Sequence, residues 1–208
     1  MIPKRRDRVA FGVHVFSLSC YILAICHDVF IAEFKKREGG PCRYFTFNNM
    51  LIQACFHLLS IRFYMAFFKH RNMGACENER RARDKFFFVA FPFAMSVSVL
   101  YWLGHHALGA ANIVQPDGLN HIRHTLMFFT VLLSAKIDHI RRANGLLPTI
   151  IITGTYVLYV VAIEICTGSF PYGFLNKMPY PTQYIAFLGL FGVQYGFEGL
   201  GQYLFSRH

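Results

Sequence analysis

The sequence predicts an all-α, multi-pass transmembrane helical bundle, and three observations carry that prediction. Of its 208 residues, 54% are hydrophobic and 17% aromatic, while 15% are charged; an ordinary soluble domain carries about 25% charged residues. The apolar residues are gathered into runs free of any charge, over 9–27, 44–61, 86–116, 143–163 and 178–197, with a shorter run over 124–135. A spanning helix needs ~20 mostly apolar residues to cross ~30 Å of hydrocarbon, so five runs qualify outright, with snorkelling Lys and Arg at their ends. Finally, the basic residues are clustered between the runs, as the positive-inside rule requires of a membrane protein.

Taken in order, the predicted spans are about 9–31, 45–68, 86–107, 122–139, 147–166 and 183–205, in a single transmembrane domain over 1–208. The first follows the basic group Lys4, Arg5, Arg6 and Arg8. Its apolar stretch is longer than the ~7–15 residues of a signal peptide and no A-x-A site follows, so it reads as a retained span. The second begins after Arg43 and carries Arg62 near its far end; the third follows a charged connection, Lys69–Lys85. The fourth spans only if Lys136 and Asp138 reach the interface. The fifth is an unbroken apolar run, and the sixth places Gly189, Gly192, Gly196 and Gly199 on one face, which predicts close helix packing.

A net charge of +10 would suggest nucleic acid in a soluble protein. Here membrane topology explains it, and no nucleic-acid partner is expected. With cytoplasmic amino and carboxyl termini and six spans, the clusters at 4–8, 69–85 and 141–142 and the terminal Arg207 share the cytoplasmic side. The plasma membrane or the endoplasmic reticulum suits such a protein. The six cysteines show no metal spacing. Cys42 and Cys166 fall near the outer face, where a disulfide is permitted, though unpaired packing cysteines are favoured.

The chemistry-bearing residues gather at the starts of the second and fourth spans. Thr46 and His124 both lie at helix amino termini on the same side of the membrane, where the helix dipole favours a neutral imidazole and a nearby oxyanion. A threonine hydroxyl becomes a nucleophile when a base takes its proton, and His124 is the best-placed base. Asn120 is positioned to orient the imidazole, and Asn48 or Asn49 to orient a substrate. The alternative reading makes Thr46 an N-cap and His124 an interfacial histidine. A metal reading groups His121 and His124 with His105 and His106; a hydroxylase or desaturase needs a fuller set of histidine boxes than this chain has. A transporter reading rests on Asp28, Glu164 and the stripe Gln194, Glu198, Gln202, for which an interhelical hydrogen-bond cluster is the structural alternative. Asp28 and Glu164 are also candidates to support His124 from the side.

Four stretches, RYFTFNNMLIQ (43–53), FPFAMSVSVLYW (91–102), LNHIRHT (119–125) and TGSFPYGFL (167–175), resemble in that order the androgen-induced protein and androgen-dependent TFPI-regulating protein family. The resemblance implies a multi-pass membrane hydrolase that cleaves fatty acid esters of hydroxy fatty acids without a cofactor. It puts the family threonine on Thr46, in F-T-F, and the family histidine on His124 rather than His121. The loop TGSFPYGF departs from the family pattern, with Phe170 where relatives carry tryptophan and the proline moved to Pro171; the loop before LNH is short and carries Pro116 and Asp117. The expectation is a membrane-embedded lipid ester hydrolase with catalytic Thr46 and His124, supporting Asn120, Asn48, Asn49 and His121, and no metal. Its substrate enters from the bilayer. The alternative is a membrane regulatory or binding protein without enzymatic activity.

Overall fold

A computed structural model describes residues 5–31, 39–107 (side chains as far as Leu103), 118–138, 140–172 and 175–205. Among them the chain is helical, without strands. Helix α1 (Arg5–Phe30) is followed by α2 (Phe45–His70) and α3 (Glu77–Ala107). The fourth helix is continuous but built in three pieces: α4 (Gly118–His121), a π turn (Ile122–Leu126) and α5 (Met127–Ile137). Helices α6 (Leu146–Thr167) and α7 (Tyr180–Phe205) complete the set. Helices α1, α2, α3 and α6 are long and apolar enough to cross a membrane. The predicted fourth and sixth spans form helices that miss that measure: the fourth is interrupted by the π turn, and α7 carries Gln183, Gln194, Glu198 and Gln202.

Neighbouring helices run in alternating directions, as their end contacts show. Arg6, at the start of α1, donates to the carbonyls of Lys136 and Ile137 at the end of α5, whereas Asp28, at the other end of α1, meets Arg123 before α5. The bundle therefore has two ends. One, the basic end, holds the start of α1 and the ends of α2, α5 and α7. The other holds the start of α2, the fourth helix's start and the end of α3.

Helix α3 is the axis of the core. Its residues from Phe87 to Ser98 are all buried, the pattern of a helix surrounded on every side, and α2, α5, α6 and α7 pack on it. Pro92 lies inside it and has no N–H to offer the Phe88 carbonyl four residues back. That carbonyl faces Gly145, at the turn before α6, so closely that a Cβ there would lie 2.4 Å from it. Helix α3 also begins earlier than the charge pattern predicts. Much of the supposed connection 69–85 is helical from Glu77, because Glu77 accepts from Arg80 and Arg81 one turn on and an acid in the first turn complements the helix dipole.

The glycine face of the last helix is a second correction. Gly189, Gly192, Gly196 and Gly199 are exposed, with nothing within 4 Å of an added Cβ. Helix α7 instead packs through Gln183, Phe187, Gln194, Glu198 and Gly201, and Gly201 is the one pressed on Phe91. The polar stripe is hydrogen-bonded within α7 and to the connection before α6: Gln202 donates to Glu198 at 3.0 Å and to the Ala143 carbonyl, and accepts from Arg142 at 3.0 Å. Thr153 donates to Gln194. All six cysteines are unpaired, Cys42 and Cys166 included.

Gly145→Ala must push α3 and the α6 start apart, at a cost of about 1–3 kcal/mol for overpacking. Thermal unfolding in detergent is expected to show a Tm several degrees lower, and Gly192→Ala is expected to leave Tm unchanged.

Candidate active site

Helix α2 is entered through a 3₁₀ turn, Pro41–Arg43, and its N-cap is Tyr44, in extended backbone with no side-chain cap. Thr46 lies beyond that cap, inside the first turn, so the N-cap reading of this residue does not hold. The orphan donors of the helix start are met in other ways. The Phe45 N–H donates to the Tyr172 hydroxyl at 2.7 Å, and the N–H groups of Phe47 and Asn48 donate to the Tyr44 carbonyl. Among the described residues, Thr46 is left with both its hydroxyl and its N–H unengaged, and its side chain is half-buried. Tyr172 is held by Tyr156, whose hydroxyl lies 3.2 Å away and donates to the Arg43 carbonyl at 3.0 Å. Burial pushes the Tyr172 phenol up, so it stays neutral and keeps its proton for hydrogen bonding.

On the facing helix, His124 sits in the middle of the π turn and is buried. Such turns are rare and recur at functional sites. The imidazole stacks on the ring of Tyr101 with centroids 3.7 Å apart and planes 9° from parallel. Asn120 donates to the Tyr101 hydroxyl, so it orients the imidazole through Tyr101 rather than by touching it. The Nδ1 atom of His124 is buried and has no hydrogen-bond partner. His121 is exposed, with Nδ1 3.3 Å from the Thr125 hydroxyl and its ring tilted beside Trp102. The wider π turn sends His121 and His124 to different surroundings, so this H-x-x-H pair does not converge on one point. The side chains of His105 and His106, the other half of the metal reading, lie outside the described residues, as do Pro116 and Asp117. Asp28 accepts from Arg123, whose guanidinium also reaches His27 at 3.0 Å. The carboxylate therefore clamps the π turn to α1 and supports His124 only through its neighbour.

The register between α2 and the fourth helix follows from one contact. Asn49 donates to the sulfur of Met127, and its own carbonyl oxygen accepts from Gln53 at 3.0 Å. The two helices run parallel, and three residues before each partner stand Thr46 and His124. Both therefore lie near the same end of the bundle, and no hydrogen bond joins them. Asn48 is spent on the entry turn, donating to the carbonyls of Cys42 and Tyr44 at 2.6 and 2.9 Å. Asn49 is spent on the Met127 contact. The Asn48 Oδ1 atom has no hydrogen bond among the described residues.

Three residues of this end escaped sequence reasoning: Tyr101, Tyr172 and Arg123. Tyr101 and Tyr172 lie within the stretches quoted above, but stacking and hydroxyl capping leave no mark on spacing. Tyr172→Phe is expected to strand the buried Phe45 N–H, a loss of about 1–3 kcal/mol, seen as a lowered Tm.

Against known proteins, the chain is 27% identical to the human androgen-induced gene 1 protein, over 91% of this chain and 84% of that one. No solved structure matches. The FAR-17a/AIG1-like protein family matches residues 9–205, nearly the whole chain, from the first helix to the last. The chain belongs to the FAR-17a/AIG1-like family.

Proposed function

We propose that this protein is a lipid ester hydrolase of the membrane, cleaving fatty acid esters of hydroxy fatty acids with Thr46 as nucleophile and His124 as base. The observation that carries the reading is the buried, unpartnered His124 nitrogen on a π turn at the same end of the bundle as the free Thr46 hydroxyl. The Thr46 oxygen attacks the ester carbonyl while the imidazole takes its proton. The imidazolium returns that proton to the departing hydroxy fatty acid. Water, deprotonated by the same imidazole, then cleaves the acyl-threonine, giving the second acid and restoring the hydroxyl. The Thr46 N–H, unclaimed within the first turn of α2, points to the donor for the oxyanion. Stacking on Tyr101 fixes the ring plane and favours the transient imidazolium. A ground-state gap between base and nucleophile is ordinary before substrate binds.

In this reading six helices cross the bilayer, both termini face the cytoplasm, and the ester enters sideways near the outer interface of the plasma membrane or endoplasmic reticulum. The name of the human relative describes the induction of its gene and carries no activity. The second reading, a regulatory or binding protein, is favoured by the absence of a hydrogen bond between Thr46 and His124, and the same experiment decides it.

Purified protein in bilayers is expected to hydrolyse a branched fatty acid ester. Thr46→Ala removes the nucleophile and brings turnover to background. His124→Ala lowers it by about 10²–10⁴-fold, the share of a general base. Undiminished hydrolysis by Thr46→Ala removes the assignment, and no hydrolysis by the unaltered protein favours the regulatory reading. Tyr101→Phe preserves the stack but loses the Asn120 bond, so it is expected to cost less in kcat than Tyr101→Leu, which loses both.

A further inference from the structure

Helix α2 carries a polar seam along its buried face: Asn49, Gln53, His57, Ser60 and Tyr64 recur every three or four residues. Helix α1 meets it with His14, Ser17 and Tyr21, and the fourth helix with Thr130, Ser134 and Asp138, all buried. Ionisable groups at such depth are expensive and mark function more often than not. Toward the basic end of the bundle, far from Thr46 and His124, this seam holds a chain of titratable groups. Asp138 lies 2.8 Å from Nε2 of His14, and Nδ1 of His14 lies 2.8 Å from Nδ1 of His57. The second oxygen of Asp138 accepts from the Tyr64 hydroxyl at 2.7 Å. Both histidine rings are fully buried.

The proton positions follow from the chemistry of the partners. A carboxylate only accepts, so His14 donates from Nε2, and its neutral ring then accepts at Nδ1. His57 must donate from Nδ1, which leaves its Nε2 a bare lone pair. That atom is buried and has no partner. The chain thus ends in an unoccupied base. Its opposite end approaches a cavity, although the Asp138 carboxylate is itself fully buried. Asp138 and Tyr64 line a cavity of about 190 Å³, together with Asp7, Arg80, Arg83 and Arg141.

We propose that His57, His14 and Asp138 form a proton relay between the membrane interior and this cavity. A proton binds Nε2 of His57, whose Nδ1 proton passes to Nδ1 of His14. The Nε2 proton of His14 passes to Asp138, which delivers it to the cavity. One proton enters, one leaves, and both rings end as the opposite tautomers. A proton held within the relay rests on His14, as an imidazolium between His57 and the Asp138 carboxylate. The charges facing this point are few. Arg83 donates to the Asp138 backbone carbonyl at 3.3 Å, but its guanidinium is committed to Asp84 and lies over Phe63. Arg80 and Arg141 are turned to Glu77, and Asp7 lines the cavity. From α1, Tyr21 stacks on His57 with its hydroxyl held by Thr130. The relay uses no residue of the proposed hydrolytic pair and stands independently of it.

The test is nitrogen NMR of the full-length protein, 15N-labelled at histidine, in lipid nanodiscs. At high pH, His14 is expected as the Nε2–H tautomer and His57 as the Nδ1–H tautomer. On acidification the two rings are expected to take up one proton together, with a single midpoint. Asp138→Asn removes the carboxylate, and the midpoint falls by at least one pH unit, a ~10-fold loss of proton affinity. Tyr64→Phe removes a donor that draws charge from the carboxylate, so the midpoint rises; this variant keeps the ring and tests the relay even if Asp138→Asn does not fold. Rings that stay neutral until the protein unfolds, or a midpoint that neither substitution moves, overturn the proposal.

Discussion

A polar side chain inside hydrocarbon must find its partner within the protein, since no water competes for it there. That constraint shapes this bundle more than any hydrophobic contact, because apolar side chains pack against lipid almost as well as against each other. The faces that α1, α2 and the fourth helix turn toward one another are polar along much of their length. Tyr21 holds Thr130, Asn49 holds Met127, and Asp138 gathers His14 and Tyr64. Each of these bonds fixes a rotation and a register. The Asn49–Met127 contact has the widest consequence, since it sets the register of α2 against the fourth helix at the opposite end.

The aromatic content, read first as mere apolar bulk, has a structural logic of its own. Phe87, Phe88, Phe91 and Phe93 fill the ring of helices around α3. At the α2 start, Phe45 packs on Phe93 and Tyr156, while the tyrosines present hydroxyls to backbone groups that lipid would leave unmet. Tyr172 and Tyr156 thus do for this helix start what a serine or aspartate cap does in water, and Thr46 is freed from that duty. A π turn on the facing helix, clamped to α1 by the Arg123–Asp28 pair, carries His124 against Tyr101. The Thr46 hydroxyl and His124 Nδ1 are both left unengaged among the described residues.

Much of this was legible in the chain. Charge-free runs located six helices, with bounds close to those formed, because hydrocarbon thickness leaves little freedom in span length. The charged stretch after α2 misled, since a run of charge reads as a loop unless its acids and bases are spaced for pairing, as Glu77, Arg80 and Arg81 are. The glycines of α7 misled for a related reason: their periodicity defines a face but not which way it points, and here it points outward. Of the stripe around Glu198, Gln194 bonds across to Thr153 of α6, while Gln202 bonds Glu198 on its own helix and the connection before α6. At the candidate site, topology brought Thr46 and His124 to one end, while the partners of Asn48, Asn49 and Asn120 left no mark on the sequence. An amide's partner depends on rotation about the helix axis, which no single sequence specifies. His14 and His57 were placed within spans, apart from any histidine cluster, but not joined to Asp138, which lies far along the chain and was read as a charge seeking the interface.

The central claim is that the Thr46 hydroxyl forms a covalent bond with an acyl group. Acid quenching during turnover of a fatty acid ester of a hydroxy fatty acid, followed by mass spectrometry of the digested protein, tests it most directly. The account predicts an acyl adduct on the peptide containing Thr46, lost when Thr46 is replaced by alanine. Turnover with no adduct at Thr46, or with the acyl group on another side chain, would contradict it.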